Sequence, residues 1–175
     1  MIEDHTCETL LRSLGAVTAQ WTDAVAPASV ELLDNHRYSP RYAWMYSYEK
    51  RLKYRIEEVL DRPLGELEKD LFGADGVLSE ALSNAFVHGH RRDQHKVIEV
   101  TCHVGEHGLL FSIRDQGEGF DAGRAMSLLK RGGTYFHMAG NGLRALAEKP
   151  GVVASYESRG TVLHIMVAFD QPGDR

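Results

Sequence analysis

The chain has 175 residues, 43% of them hydrophobic, and a formal net charge of -5. That size and apolar content suit one domain around a single core and exclude a disordered polymer. The acidic balance, with lysines and arginines dispersed among carboxylates, lacks the basic tract of a nucleic-acid binder, so a protein or small-molecule partner is favoured.

No uncharged apolar run is long enough to span a membrane. The start, Met1-Ile2-Glu3-Asp4-His5, lacks the basic beginning and apolar middle of a secretory leader, so a cytoplasmic protein is expected. Cys7 and Cys102 are too few and too far apart for a disulfide framework or a zinc cluster, and free thiols, buried or half-buried, are predicted.

In chain order, residues 3–21 read as an amphipathic helix with Leu10, Leu11, Leu14, Val17 and Trp21 near helical spacing. Ala26-Pro27-Ala28 breaks it, and residues 29–33 are short enough for an edge strand. A long helix is predicted over residues 39–60, with Pro40 in its first turn and Tyr42, Met45, Tyr46, Leu52, Ile56 and Leu60 on its apolar stripe. The tyrosines and arginines of residues 37–55 are either core or a partner surface. Residues 66–72 form a short helix, residues 77–88 another, and Gly89 closes the latter as a glycine commonly does past a helix end.

The period then changes to two. Residues 97–104 and 109–114 read as strands joined by the turn Gly105-Glu106-His107-Gly108. Residues 124–130 suit a short helix, Arg131-Gly132-Gly133-Thr134 no regular structure, and residues 141–148 a further helix. Residues 152–157 and 161–169 make a closing hairpin, and residues 171–175 fray. The order of helices and strands predicts an α+β two-layer sandwich: a mixed, mainly antiparallel sheet with helices on one face.

Four segments carry the chemistry: Glu80 to Gly89, Asp115-Gln116-Gly117-Glu118-Gly119-Phe120-Asp121, Gly140-Asn141-Gly142-Leu143, and Arg159-Gly160-Thr161. Glu80, Asn84 and His88 stand at i, i+4 and i+8, on one face of a helix. The glycine-rich segments are turns where backbone approaches a ligand closely or takes a positive φ. No P-loop is present, so phosphates need another cradle.

This ordered set resembles the N, G1, G2 and G3 boxes of the Bergerat-fold ATPases, the superfamily of DNA gyrase, heat-shock chaperone ATPases and histidine-kinase catalytic domains. The Glu-x-x-x-Asn-Ala-x-x-His-Gly form of the first box looks most like the anti-sigma factor serine kinases of partner-switching systems. The resemblance implies ATP and Mg²⁺ as cofactors, Glu80 as the base for an attacking serine, and Asn84 as the Mg²⁺ ligand. It sets His88 near the phosphates, although a histidine in a last helical turn is also favoured by the helix dipole alone.

Asp115 would accept a hydrogen bond from the adenine amino group, with Gly117 and Gly119 lying close to base and ribose. Gly140, Asn141, Gly142 and Leu143 would bring backbone N–H groups and a helix start against the phosphates. Gly160 and Thr161 would support the adenine contact. Residues 122–139 resemble a lid, whose Lys130 and Arg131 either meet the γ-phosphate or are simply solvated.

On this reading residues 1–28 are a helical extension, regulatory or dimerising, residues 29–170 the ATPase domain, and residues 171–175 a tail. The implied function is a serine kinase that binds a sigma factor and phosphorylates a small antagonist protein, with a homodimer compatible and no direct contact with nucleic acid or membrane. Two alternatives are a stand-alone histidine-kinase catalytic domain and a non-enzymatic module that uses ATP to set its conformation.

Overall fold

Thr6 begins the first helix, α1 (Cys7–Ser13), by accepting the N–H of Thr9 through its hydroxyl. Gly15, at a φ of +71°, turns the chain out of it. The computed structural model describes residues 6–32, 42–73, 76–121 and 149–169. Directly after Gly15 the chain becomes strand β1 (Val17–Val25), which corrects the helix expected over residues 3–21.

Leu10 and Leu14 are helical as expected, but Trp21 lies in the strand. A spacing of four puts two side chains on one face of either a helix or a strand, so periodicity could not separate them. The β-branched Val17, Thr18, Thr22 and Val25 decide for the strand. The edge strand therefore comes from within residues 1–28, the segment expected to be a helical extension. Residues 29–32 hold no strand, and Pro27–Ser29 is a 3-10 turn.

Strand β1 pairs antiparallel with β2 (Ile98–Gly105), and β2 with β3 (Gly108–Arg114). The hairpin of β4 (Val152–Glu157) and β5 (Val162–Ala168) adds to β3 through β5, giving the order β1-β2-β3-β5-β4. Helices α2 (Ala43–Leu60), α3 (Leu67–Leu71) and α4 (Val77–Asn84) form the second layer. Among the described residues this is the α+β sandwich that the element order predicts.

The core lies between the two layers. Alternation delivers Ile98, Val100, Cys102 and Val104 from β2, Leu109, Phe111 and Ile113 from β3, and Leu163, Ile165 and Val167 from β5 to one face. Against them α2 sets Trp44, Tyr48, Leu52 and Ile56, four apart in sequence, and α4 sets Leu78 and Leu82. Of the tyrosines of α2, Tyr48 is buried and donates to Asp23 Oδ2 at 3.0 Å, whereas Tyr54 is 56% exposed. Cys102 is buried and Cys7 half-buried, both as free thiols.

The reverse face of the sheet is covered by α1, whose Leu10 and Leu14 pack on Leu110. Both ends of this helix are fastened: Glu157 Oε1 accepts the N–H of Cys7 at 2.8 Å, and Leu14 O accepts that of His107 at 2.9 Å. Beneath it, Ser112 Oγ and His164 Nδ1 lie 2.8 Å apart. The Cys7 N–H, ahead of His164, holds the Glu157 carboxyl below its usual range.

One carboxylate lies inside the helical layer. Glu49 of α2 is 4% exposed, and burial pushes its carboxyl up to about 7, opposed only in part by the Ser79 hydroxyl and the Gly73 N–H. A carboxyl raised above its unfolded value contributes most stability below the unfolded pKa, and that contribution is lost as pH rises through about 7. Glu49→Gln removes the titration and keeps the shape. Urea unfolding should find the wild type less stable at about pH 8 than at about pH 6, with the variant gaining on it by roughly 1 kcal/mol across that range. Equal pH dependence in both proteins would show that Glu49 is solvated.

Candidate functional site

Helix α4 does not run on regularly through the first box. Residues Ala85–Gly89 form a π-helical turn, closed by the His90 N–H on Ala85 O at 2.8 Å and the Arg92 N–H on Phe86 O at 2.9 Å. Arg91 and Arg92 follow at φ of 54° and 64°, so the chain swings sharply away. Glu80 and Asn84 keep their one-turn spacing, and Asn84 Nδ2 donates to Glu80 Oε1 at 3.0 Å. An ionised carboxylate can only accept, so this bond fixes the amide with its oxygen turned away from Glu80.

Gly89 ends the helical segment, as expected, but without a positive φ. Its glycine is required by space. A Cβ there would lie 2.6 Å from Asp115 Oδ1, and a Cβ on Gly117 would lie 2.6 Å from Gly89 O. The end of the helical layer thus packs backbone to backbone on the turn that leaves β3. The expectation that Gly117 clears room for a ligand is refined: the group it admits first is the protein's own Gly89. Gly119 takes a φ of +74°, and a side chain on it would strike Arg159 O.

Asp115 stands one residue past β3. Its N–H donates to Thr161 O at 3.0 Å, and its Oδ1 accepts the Gly117 N–H at 2.7 Å, an Asx turn that leaves Oδ2 for another donor. Burial raises its pKa, while the Gly117 N–H and Lys96 lower it. Thr161 Oγ1 donates to Ser158 O at 2.9 Å, within its own turn.

These elements enclose a cavity of about 220 Å³. Asn84, His88, Asp115, Gly117, Gly119 and Gly160 all line it. Glu80 adjoins it through Asn84, and Thr161 through the turn that carries Gly119. Gly140, Asn141, Gly142 and Leu143, the lid over residues 122–139, the helix expected over 141–148 and the tail over 171–175 lie outside the described residues.

The cavity also uses side chains that the motifs left out. Ala81, Ala85, Ile113 and Leu163 supply an apolar floor, and Phe120 and Tyr156 meet edge to face at 5.0 Å between ring centroids. Burial, then Asp115 and Glu80, push the Tyr156 hydroxyl's pKa up. Val152, Ala154 and Tyr156 share one face of β4, so alternation from the core residues Val152 and Ala154 is the signal that could have found it. Lys96 and Arg91 bring positive charge to the lining.

Because Gly89 backs Asp115 so closely, Gly89→Ala should force the carboxylate out of place. Calorimetry with ATP should find binding weakened at least about tenfold, the overpacking itself costing roughly 1–3 kcal/mol. Unchanged affinity would mean that Asp115 is not part of the site.

The family model of the histidine kinase-like ATPase domain matches residues 56–167, more than half of the chain. The match runs from the end of α2 to β5 and contains every element that lines the cavity. A comparison with the sequences of characterised proteins finds no match. On the strength of the matched segment, and with the fold to go with it, the chain belongs to the histidine kinase-like ATPase family, whose domain binds ATP.

Proposed function

We propose that the protein is an ATP-dependent protein serine kinase that acts as an anti-sigma factor, phosphorylating a small antagonist protein to keep it from releasing the sigma factor. The observation that carries this reading is the Glu80–Asn84 pair beside the cavity, with its 3.0 Å hydrogen bond. The bond frees the Asn84 amide oxygen, a hard neutral donor of the kind Mg²⁺ takes alongside its waters, so Asn84 fits the ion. When bound, the ion neutralises phosphate charge. Glu80 keeps its second carboxylate oxygen for an incoming proton.

In the proposed reaction a serine hydroxyl of the antagonist attacks the γ-phosphorus of ATP. The serine O–P bond forms, the bond from that phosphorus to the β–γ bridging oxygen breaks, and ADP departs with the electron pair. Glu80 takes the hydroxyl proton, its Oε1 steadied by Asn84. Asp115 Oδ2 receives the adenine amino N–H, whereas guanine would turn a carbonyl oxygen toward the same carboxylate. A cytoplasmic protein, free or as a homodimer, suits such partners.

Glu80→Gln is expected to hold ATP within a few-fold of wild-type affinity, because the amide keeps the shape, and to lower transfer of labelled γ-phosphate by about two to four orders of magnitude. Asn84→Ala should weaken Mg·ATP binding itself. Transfer by Glu80→Gln at the wild-type rate would remove the base role. An acid-labile product in place of acid-stable phosphoserine would point to a histidine-kinase catalytic domain. ATP binding without any phosphorylated partner would leave the non-enzymatic module as the reading.

Base selection has its own measurement. Calorimetry should find GTP bound far more weakly than ATP, and Asp115→Asn should bind ATP roughly ten- to a hundredfold more weakly than wild type, the usual worth of a buried hydrogen bond to a charged group. Equal affinity for the two nucleotides would remove the base contact from Asp115.

A further inference from the structure

His90 follows the last residue of the first box and belongs to none of the four motif segments. It is 1% exposed, and its Nε2 accepts the backbone N–H of Gln116 at 3.0 Å. Gln116 is the residue between Asp115 and Gly117, so this bond grips the base turn from beneath. On its other side the Gln116 side chain accepts the Val97 N–H at 3.0 Å. The turn is thus tied to the tail of α4 by one imidazole nitrogen and to the start of β2 by one amide. Asp115 Oδ1 accepts the Gly117 N–H of the same turn, so the carboxylate is hydrogen-bonded to the backbone that His90 holds.

An imidazole nitrogen accepts a hydrogen bond only through its lone pair. Nε2 must therefore be unprotonated, and the ring proton sits on Nδ1, which is buried with no hydrogen-bond partner among the described residues. Adding a second proton would turn Nε2 into a donor facing the Gln116 N–H, a repulsive pair. The charged groups around the ring are Lys96 and Asp93 from the loop leading to β2, with Asp115 across the Gly89 contact and Arg91 and Arg92 next in the chain. Burial first, then Lys96, keeps the ring less basic than usual, against Asp93.

We infer that His90 is a positioning residue for nucleotide binding: its neutral imidazole sets the Asp115–Gly117 turn in place to receive the base, and protonation of that ring releases the turn. The inference rests on the reading of the cavity as a nucleotide site. Nucleotide affinity then falls as pH drops below the ordinary histidine range, through a group that never touches the ligand.

The test is calorimetry of the full chain with ADP across a range from about pH 8 to about pH 5. His90→Gln supplies an uncharged acceptor at a similar reach, and is expected to bind within a few-fold of wild type at the alkaline end. Dividing one affinity by the other cancels the titration of the nucleotide phosphates and of Asp93 and Asp115. That ratio should move toward the variant by roughly tenfold on acidification, the loss expected for one buried hydrogen bond. A ratio constant with pH overturns the inference.

His90→Phe fills the space without an acceptor and should bind ADP about tenfold more weakly even at the alkaline end. Wild-type affinity in that variant would also overturn the role. Should the wild type bind no ADP at any pH, the nucleotide-site reading fails and takes the inference with it. Tight ADP binding with a constant ratio removes His90 alone and leaves the site standing.

Discussion

Where the helical layer ends and β3 ends, two stretches of backbone meet with no side chain between them: Gly89 and Gly117 leave room only for each other and for the Asp115 carboxylate. Everything that lines the cavity is referred to that contact. It fixes how far the tail of α4 stands from the sheet, and so how far Asn84 and His88 stand from Asp115. The π-helical turn over Ala85–Gly89 is the means by which α4 reaches it, since the wider turn redirects the backbone before Arg91 and Arg92 carry the chain off. A helix continued regularly would keep its side-chain face and miss the approach.

The opposite wall depends on one turn. Ser158 and Arg159 take φ values of 51° and 57°, uncommon for residues with side chains, and the conformation persists because it is held from several sides. Arg159 O accepts the Phe120 N–H at 2.8 Å and Thr161 O accepts that of Asp115 at 3.0 Å. Glu157, immediately before the turn, accepts the Cys7 N–H from α1 on the reverse face. The N-terminal helix and the cavity wall therefore meet at consecutive residues of one hairpin. Residues 6–28 hold α1 and β1, which these bonds and the pairing of β1 with β2 join to the sheet.

Polar groups in this fold are used sparingly and in defined places. Asp115 lies where burial makes its charge costly, and the Gly117 N–H and Lys96 offset part of that cost. Glu49, within the helical layer, has less help, and its Oε1 has no hydrogen-bond partner among the described residues. The first sits on the wall of the cavity and the second in closed packing within the helical layer.

The amino-acid sequence by itself determined the central strands of the second half, because the alternation from Ile98 to Val104 has period two and Leu109 to Ile113 is a short apolar run set off by the turn at Gly105 to Gly108. It determined the helix ending at Leu60, through its apolar stripe and the Pro63 that follows, and the order of the boxes, through glycines and the i, i+4 spacing of Glu80 and Asn84. It did not separate α1 from β1, since Leu10, Leu14, Val17 and Trp21 fit one helical face and only pairing with β2 made residues 17 to 25 a strand. Nor did it expose why Gly89 is glycine, or that His90 and Tyr156 belong with Asp115. Those facts depend on distances between residues far apart in the chain. Local propensity carries no information about which two backbones will pack so closely that neither can carry a side chain, and only the packing of the helical layer on the sheet decided it.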